Sequence, residues 1–289
     1  MGDKFIVYSF VGSQWAGVVH LALAEKSFAE ADYDIKEIDL VAADNFNPAY
    51  LKINPNGTVP SLTSASLENP LTDSIDILRY LDGLRLGHNN LVPVEDNAKT
   101  KQKVQAILDL VHSDDLGTNL ILLQARDAEE MQHKKNSDWK TFLEARQTRL
   151  EKERVSNPGH PFYGLKAQEN GQLYKLYVTD IGPEHQLFFK KTHEMYRSFA
   201  AGMEKLEALL VLPYAAGDTI TEADWHVAPW LSHAMAGAGT NPSEIQDFKP
   251  LERLIQKSVS GFTVGPKTRE WWANVAATGS FKKVFPTLH

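Results

Sequence analysis

Hydrophobic residues at the start of the chain follow first a strand pattern and then a helical one. The run from Lys4 to Phe10 is rich in β-branched and aromatic residues and ends just before Gly12, which predicts a buried strand. The apolar positions that follow have helical spacing, and Ser13 is placed to cap that helix: Trp15, Val18, Val19, Ala22 and Leu23. Residues 33–40 predict a second strand. The chain therefore opens as a β-α-β unit, which normally gives a parallel strand pair with a right-handed crossover.

The next segment packs several turn and cap signals into a short stretch, residues 53–81. Residues 58–64 predict a strand that contains the Val59–Pro60 pair, and a short strand near Ser66 and Leu67 is expected to pair with it in antiparallel fashion. An Asp-Ser pair then begins a predicted helix from Ser74 to Leu84. Together these elements predict a compact α/β domain over residues 1–85.

Beyond a linker at residues 83–96, which mixes Gly, Asn and Pro without periodicity, the pattern is almost entirely helical. The clearest helix start has Thr221 at the cap and Asp224 three residues later, a capping box. We predict an all-helical second domain over residues 95–289. It includes an insert at about residues 127–186, whose aromatic residues either bind flat substrates or form the core of the insert.

Composition excludes several classes of protein. The formal net charge of −7 and the absence of a basic cluster argue against nucleic-acid binding, and no apolar run is long enough for a membrane span. The chain has no cysteine, which removes disulfides, thiolate metal sites and cysteine nucleophiles. The histidines show no metal-ligand spacing, so we expect no metal. The N-terminus lacks the features of a signal peptide, so we expect a cytoplasmic protein.

Four segments in this order resemble the glutathione transferase superfamily: "SQWAGVVHLALAEK", "NPNGTVPSL", "LTDSIDILRYLD" and "GDTITEADWHVAPWL". The resemblance implies an α/β N-terminal thioredoxin-like domain followed by an all-α C-terminal helical domain, the glutathione transferase fold. It also implies glutathione as co-substrate, a small hydrophobic electrophile as second substrate, and a homodimer.

The resemblance assigns the glutathione-binding residues as Val59, Pro60, Asp73 and Ser74. In the family a cis Val-Pro bond frees the backbone of the valine to pair with the cysteinyl part of glutathione. Asp73 would accept from the γ-glutamyl ammonium while Ser74 and the helix start hold the carboxylate; alternatively, Asp73 only caps its helix.

The glycyl end of glutathione has no obvious cation in this sequence. The lysine that is common before Val-Pro in the family is Thr58 here, so Lys52 or Asn54 is expected to reach the glycyl carboxylate instead.

By the same resemblance, Ser13 is the candidate catalytic hydroxyl, which would donate to the glutathione thiolate at a helix start. The proline that often follows this serine in the family is Gln14 here. Tyr8 and Ser9 at the end of the first strand are the alternatives, and Ser13 is also a plain N-cap candidate.

The resemblance also suggests a hydrophobic pocket for the second substrate, with these lining residues: Phe10, Gln14, Trp15, His112, Asp115 and Asn119. The lack of cysteine argues against members that form a mixed disulfide. Conjugation to aromatic electrophiles or etherase-like reductive cleavage of aromatic ethers is expected. The alternatives are a noncatalytic ligandin-like binder and a regulatory transferase-like protein.

Overall fold

The computed structural model describes residues 4–87, 89–93 and 98–288, and its N-terminal part is an α/β domain. The elements of this domain, in chain order, are β1 (Phe5–Ser9), α1 (Gln14–Glu25), β2 (Tyr33–Glu37), α2 (Pro48–Leu51), β3 (Ser61–Thr63) and α3 (Ser74–Leu84). Each predicted strand or helix of the opening β-α-β unit is present, and α3 has the predicted bounds.

The three strands form one sheet in the order β2-β1-β3, with β1 in the centre. β1 and β2 are parallel, and Phe5 lies opposite Tyr33. β1 and β3 are antiparallel, and Tyr8 lies opposite Ser61. The parallel pair confirms the crossover expected from a strand, a helix and a second strand in sequence.

The expected short strand near Ser66 and Leu67 is wrong, because these residues form a turn. Ser64 organises that turn: its Oγ accepts a hydrogen bond from the Ser66 amide, and its carbonyl accepts one from the Leu67 amide. The chain returns to the sheet only at Leu71, which forms an isolated antiparallel bridge with Leu62.

The remainder of the described chain is mostly helical, while the expected boundary at residue 95 lies outside the described residues. Its helices are α4 (Ala98–Val111), α5 (Asn119–Leu123), α6 (Ala128–Lys135), α7 (Asp138–Ser156), α8 (Pro161–Val178), α9 (Pro183–Leu209), α10 (Glu222–Gly237), α11 (Lys249–Gln256), α12 (Pro266–Ala277) and α13 (Gly279–Val284). The predicted capping box is present: Asp224 accepts from the Thr221 amide at 2.8 Å.

Helix α1 is packed on several sides, which fixes the position of its N-terminus. It contacts α3, α10 and α13. Gly17 permits the close approach of α10, because a Cβ at this position would lie 2.9 Å from the Pro229 Cβ. The Leu288 side chain also lies against this glycine, so the end of the described chain packs on α1.

The predicted insert forms α6, α7 and α8, and its aromatic residues lie in two clusters of side chains. One cluster of side chains lies between these helices and the start of α9: Met131, Trp139, Phe142, Leu143, Tyr174, Leu176, Tyr177 and Phe189. A second cluster joins the insert to the segment that follows β2, where the Tyr163 hydroxyl donates to the Phe46 carbonyl at 3.0 Å and Phe162 packs on Phe46. The first cluster is therefore an internal core of the insert, whereas Phe162 and Tyr163 pack against the α/β domain.

None of the helices in the described part of the chain is long and apolar enough to cross a membrane.

Candidate functional site

Three segments meet at one end of the small sheet. β3 begins at Ser61, opposite the end of β1. The bridge between Leu62 and Leu71 is antiparallel, and continuing its register by two residues places Asp73 opposite Pro60. The turn between β1 and α1, the peptide before β3 and the start of α3 therefore lie at the same end of the sheet.

Ser13 caps α1 and still has a hydroxyl hydrogen to donate. Its Oγ accepts from the Ala16 amide at 3.3 Å, which uses a lone pair and leaves the O–H free. The Ser13 amide donates to the Phe10 carbonyl at 3.1 Å, and Gly12 has a φ of 85° that this tight turn requires. The first amides of α1 have no intrahelical acceptor and lie at the positive end of the helix dipole, so the position favours an anion.

The two alternative hydroxyls have other surroundings. The Ser9 Oγ hydrogen-bonds with the His20 Nε2 at 2.8 Å, on the face of the sheet that carries α1. Tyr8 lies on the opposite face, because side chains alternate along a strand, and it packs with Tyr50 and Val59 in an apolar cluster. Of the three candidates, Ser13 is the one that sits at a helix N-terminus.

Val59 presents its backbone at the same end of the sheet. Its peptide bond to Pro60 is cis, as expected. Within the described residues, neither its amide nor its carbonyl forms a backbone hydrogen bond, because pairing between β1 and β3 starts only at Ser61. An extended peptide can pair with these two groups, as a strand pairs with a sheet edge.

The loop before Val59 is held by its neighbours. The Tyr50 hydroxyl donates to the Thr58 carbonyl at 2.6 Å, and the buried Asn45 side chain donates to the Gly57 carbonyl at 2.7 Å. Gly57 has a φ of 61°, and a Cβ there would lie 2.8 Å from the ring of Phe162. The insert therefore covers the loop that positions Val59.

The start of α3 combines a cap with an available carboxylate. The Asp73 Oδ1 accepts from the Ile75 amide at 2.8 Å, so the residue caps the helix. Asp73 is exposed, and its second oxygen can accept from a ligand; Ser74 beside it is buried. The cap role and the binding role are thus compatible.

Lys52 and Asn54, the candidates for the glycyl end of glutathione, differ in availability. Asn54 is fully buried, and its amide nitrogen donates to the Thr58 carbonyl at 2.8 Å while its Oδ1 accepts from the Asn56 amide at 3.0 Å. Its side chain is therefore occupied in shaping the loop. Lys52 is exposed at the end of α2 and is available to a ligand.

Comparison with known proteins assigns the family. Residues 3–83 match the family model "Glutathione S-transferase, N-terminal domain". Over 255 residues the chain is 25% identical to Glutathione S-transferase 1 of Dianthus caryophyllus, and the match covers 88% of each protein. It is 38% identical over 80 residues to Glutathione S-transferase Z1 of Arabidopsis thaliana, covering 28% of this chain and 34% of that protein. Residues 3–83 therefore belong to the glutathione S-transferase N-terminal domain family, and the chain as a whole resembles glutathione transferases.

A solved structure shares the fold over nearly the whole chain. The structure of the beta-etherase LigF from Sphingobium sp. strain SYK-6 superposes with a TM-score of 0.60, at 16% identity, and the match covers 98% of this chain and 99% of that one. At this identity the likeness shows the fold. It confirms the expected glutathione transferase architecture of an α/β domain followed by helices.

Two residues of the predicted second-substrate pocket lie beside the candidate glutathione site. Trp15, in the first turn of α1, stacks on His112 with ring centroids 4.1 Å apart and an interplanar angle of 14°. Burial lowers the pKa of His112, and the Asp73 and Asp109 carboxylates oppose this effect. A stacked aromatic surface therefore lies next to Ser13.

The other four predicted pocket residues are distributed over different surfaces. The Gln14 Oε1 accepts from the Thr118 hydroxyl at 2.6 Å, which links α1 to the start of α5, where Asn119 is exposed. Asp115 lines a groove between α4 and α9. Phe10 lines a separate cavity with Ser9.

The sequence did not single out an ion pair that joins the α/β domain to the helical part of the chain. Arg79 of α3 donates from Nε and Nη2 to the two carboxylate oxygens of Glu222 of α10, at 2.9 and 3.1 Å. His226, one turn later, hydrogen-bonds with the Glu222 carbonyl at 2.8 Å. Partners so far apart in the chain give no local pattern; the only signal was the nearby capping box.

Proposed function

We propose that this protein is a glutathione transferase that ionises the thiol of glutathione with the Ser13 hydroxyl. The observation that carries the proposal is the meeting of three groups at one end of the sheet. These are the Ser13 hydroxyl at the start of α1, the unpaired backbone of Val59, and the start of α3 with Asp73.

In the proposed binding mode, the cysteinyl backbone of glutathione pairs with the Val59 amide and carbonyl, which anchors the ligand by β-augmentation. The γ-glutamyl carboxylate lies on the first amides of α3 and on Ser74, and the ammonium contacts the Asp73 carboxylate. Lys52 is the cation available for the glycyl carboxylate. This arrangement directs the thiol toward the start of α1.

Activation follows from the difference between thiol and thiolate. A free thiol has a pKa of about 8.5 and is mostly protonated at neutral pH. A hydroxyl that donates to the sulfur, together with the amides at the start of α1, stabilises the charged form and lowers the pKa. Ser13 supplies the hydroxyl without giving up its cap, because the cap uses a lone pair.

The second substrate is proposed to be a hydrophobic aromatic electrophile. The stacked Trp15 and His112 rings offer a flat surface next to the thiolate. In an aryl ether, the sulfur attacks the carbon that carries the aryloxy group, the C–O bond breaks, and the aryl oxide leaves and takes a proton from water. A homodimer, which the superfamily resemblance implies, and a cytoplasmic location are part of the same proposal.

The proposal is tested by assaying purified protein with chlorodinitrobenzene and with an aryl ether, with and without glutathione, alongside a thermal-shift titration with glutathione. We expect stabilisation by glutathione and glutathione-dependent turnover of at least one electrophile. Stabilisation without turnover would support the ligandin-like alternative. No stabilisation at millimolar glutathione would contradict the transferase function.

A further inference from the structure

A cavity opens between β1, α1, β2 and α13. It has a volume of about 350 Å³, which is in the range of small-molecule sites. Its walls are largely apolar and come from β1, α1, β2 and the region of α13; among them are Phe10, Leu23, Ala24, Tyr33 and Val284. None of the residues assigned above to glutathione lines it.

One polar pair lies on the wall of this cavity. Ser9 is 3% exposed, and its Oγ lies 2.8 Å from the His20 Nε2. Both residues line the cavity. Burial lowers the pKa of His20, so the imidazole is neutral at physiological pH.

A neutral serine–histidine pair can match a ligand hydroxyl in either direction. When Ser9 donates to His20, the Oγ keeps lone pairs that accept from a ligand O–H. When the His20 Nε2 carries the proton, Ser9 is free to donate instead. The pair is therefore suited to a group that both donates and accepts, such as a phenol.

The mouth of the cavity does not select for charge. Glu37 and Lys283 both line it, and their opposite charges offset each other for a ligand between them. Two apolar side chains of the lining are left uncovered by the described chain: Val11 is 57% exposed and Ile35 is 50% exposed. An uncharged aromatic ligand would cover both.

We propose that this cavity is a second binding site, for small neutral phenols, in which the ligand hydroxyl joins the Ser9–His20 pair and the ring lies against Phe10 and Tyr33. The site goes beyond the transferase function and does not depend on it.

The test uses 2-naphthol and 2-methylnaphthalene, which have nearly the same shape but differ in the hydroxyl. Binding is measured by equilibrium dialysis at neutral pH in saturating S-hexylglutathione, which would occupy the proposed glutathione site and the adjoining cleft. We expect 2-naphthol to bind wild-type protein under these conditions. Ser9→Ala should weaken the binding of 2-naphthol about two- to tenfold, which is the range for one hydrogen bond. It should leave the binding of 2-methylnaphthalene unchanged.

Two blocking variants make the test independent of any one substitution. Ala24→Phe fills the cavity, and Ile35→Trp narrows its mouth from an exposed position; each should abolish 2-naphthol binding. Ser66→Ala is the matched control, because it also removes a serine hydroxyl. The Ser66 Oγ lies 2.8 Å from the Tyr80 hydroxyl, and neither residue lines the cavity. The proposal is overturned if wild-type protein does not bind 2-naphthol, or if S-hexylglutathione displaces it fully. Equal effects of Ser9→Ala on both probes, or normal binding by folded Ala24→Phe and Ile35→Trp proteins, would also overturn it.

Discussion

At the scale of single residues, Ser13 combines a structural bond with a free donor. Its Oγ accepts from the Ala16 amide, and its O–H donates to no acceptor within the described chain. A substitution that removes the hydroxyl therefore removes both the cap and the proposed thiolate donor. The two effects are separable, since the cap affects stability and the donor affects the reactive form of the thiol.

Ser13→Ala is expected to lower turnover about ten- to hundredfold near neutral pH, because a hydrogen bond to a charged group contributes ~1.5–3 kcal/mol. The pH–rate profile should shift to higher pH, since the bound thiol regains a pKa closer to its free value. Glutathione affinity should change little. Steady-state kinetics across pH measure this, with Ser9→Ala and Tyr8→Phe as comparison variants. If either of those loses activity while Ser13→Ala keeps full activity, the catalytic hydroxyl lies on the strand.

Asp73 offers a cleaner separation of cap and ligand. Asp73→Ser keeps a good N-cap for α3 but removes the charge. We expect the dissociation constant for glutathione to rise about tenfold or more, because the γ-glutamyl ammonium loses a charged partner, while thermal stability stays close to wild type. Calorimetric titration measures it. Unchanged affinity in Asp73→Ser would show that Asp73 is only a cap.

At the scale of elements, the insert supports the loop that positions Val59. Phe162 lies against Gly57, and the Tyr163 hydroxyl bonds to the Phe46 carbonyl at 3.0 Å. The insert thus contributes to the proposed glutathione site without lining it. Its aromatic residues act through packing on the loop.

Phe162→Ala is therefore expected to weaken glutathione binding several-fold and to lower the free energy of unfolding by about 1–3 kcal/mol, since the ring is only partly buried. Leu165→Ala on the same helix is the control, because that side chain is 60% exposed and should change neither value. Urea unfolding and glutathione titration measure the two effects. If Phe162→Ala loses stability but binds glutathione normally, the loop does not depend on the insert.

Elements with local signals were predictable from the sequence. The cap residues Ser13, Asp73 and Thr221 each mark the start of a helix in the structure, because a cap and its helix lie within a few residues of each other. The prediction of a strand near Ser66 was wrong, because the serine side chains of this segment form hydrogen bonds within a turn.

The site was predictable to a similar extent. Ser13, Pro60 and Asp73 lie in short local motifs, and the sheet register brings these motifs to one end of the sheet, while their roles toward glutathione stay predictions. The contacts of Phe162 with Gly57 and of Arg79 with Glu222 join distant parts of the chain, so no local pattern indicated them.

At the scale of the whole molecule, a buried polar group sits where the α/β domain meets the helices. His226 is completely buried; its imidazole bonds to the Glu222 carbonyl, and the rings of Trp15 and His112 lie beside it. Burial lowers its pKa to about 3, with His112 and Arg79 adding to the effect and the bond to Glu222 opposing it. The folded protein therefore keeps this residue neutral well below the pKa of an unfolded histidine.

The free energy of unfolding should consequently fall as the pH drops from about 6.5 toward 3. In this range His226 binds a proton in the unfolded chain but stays neutral in the folded one. The slope from this residue is up to about 1.4 kcal/mol per pH unit. His226→Asn does not titrate and should flatten the dependence by that amount, while His133→Asn, at an exposed position, should not. Denaturant unfolding at a series of pH values measures it, and equal slopes in wild type and His226→Asn would contradict this account.

The central claim is that Ser13 ionises bound glutathione, and the most direct measurement is the ultraviolet absorbance of the thiolate in the binary complex, titrated with pH. For wild-type protein we expect a bound-thiol pKa about two units below that of the free thiol, and for Ser13→Ala a pKa close to the free value, at equal saturation with glutathione. Thiolate absorbance that titrates identically in the two proteins would contradict the account.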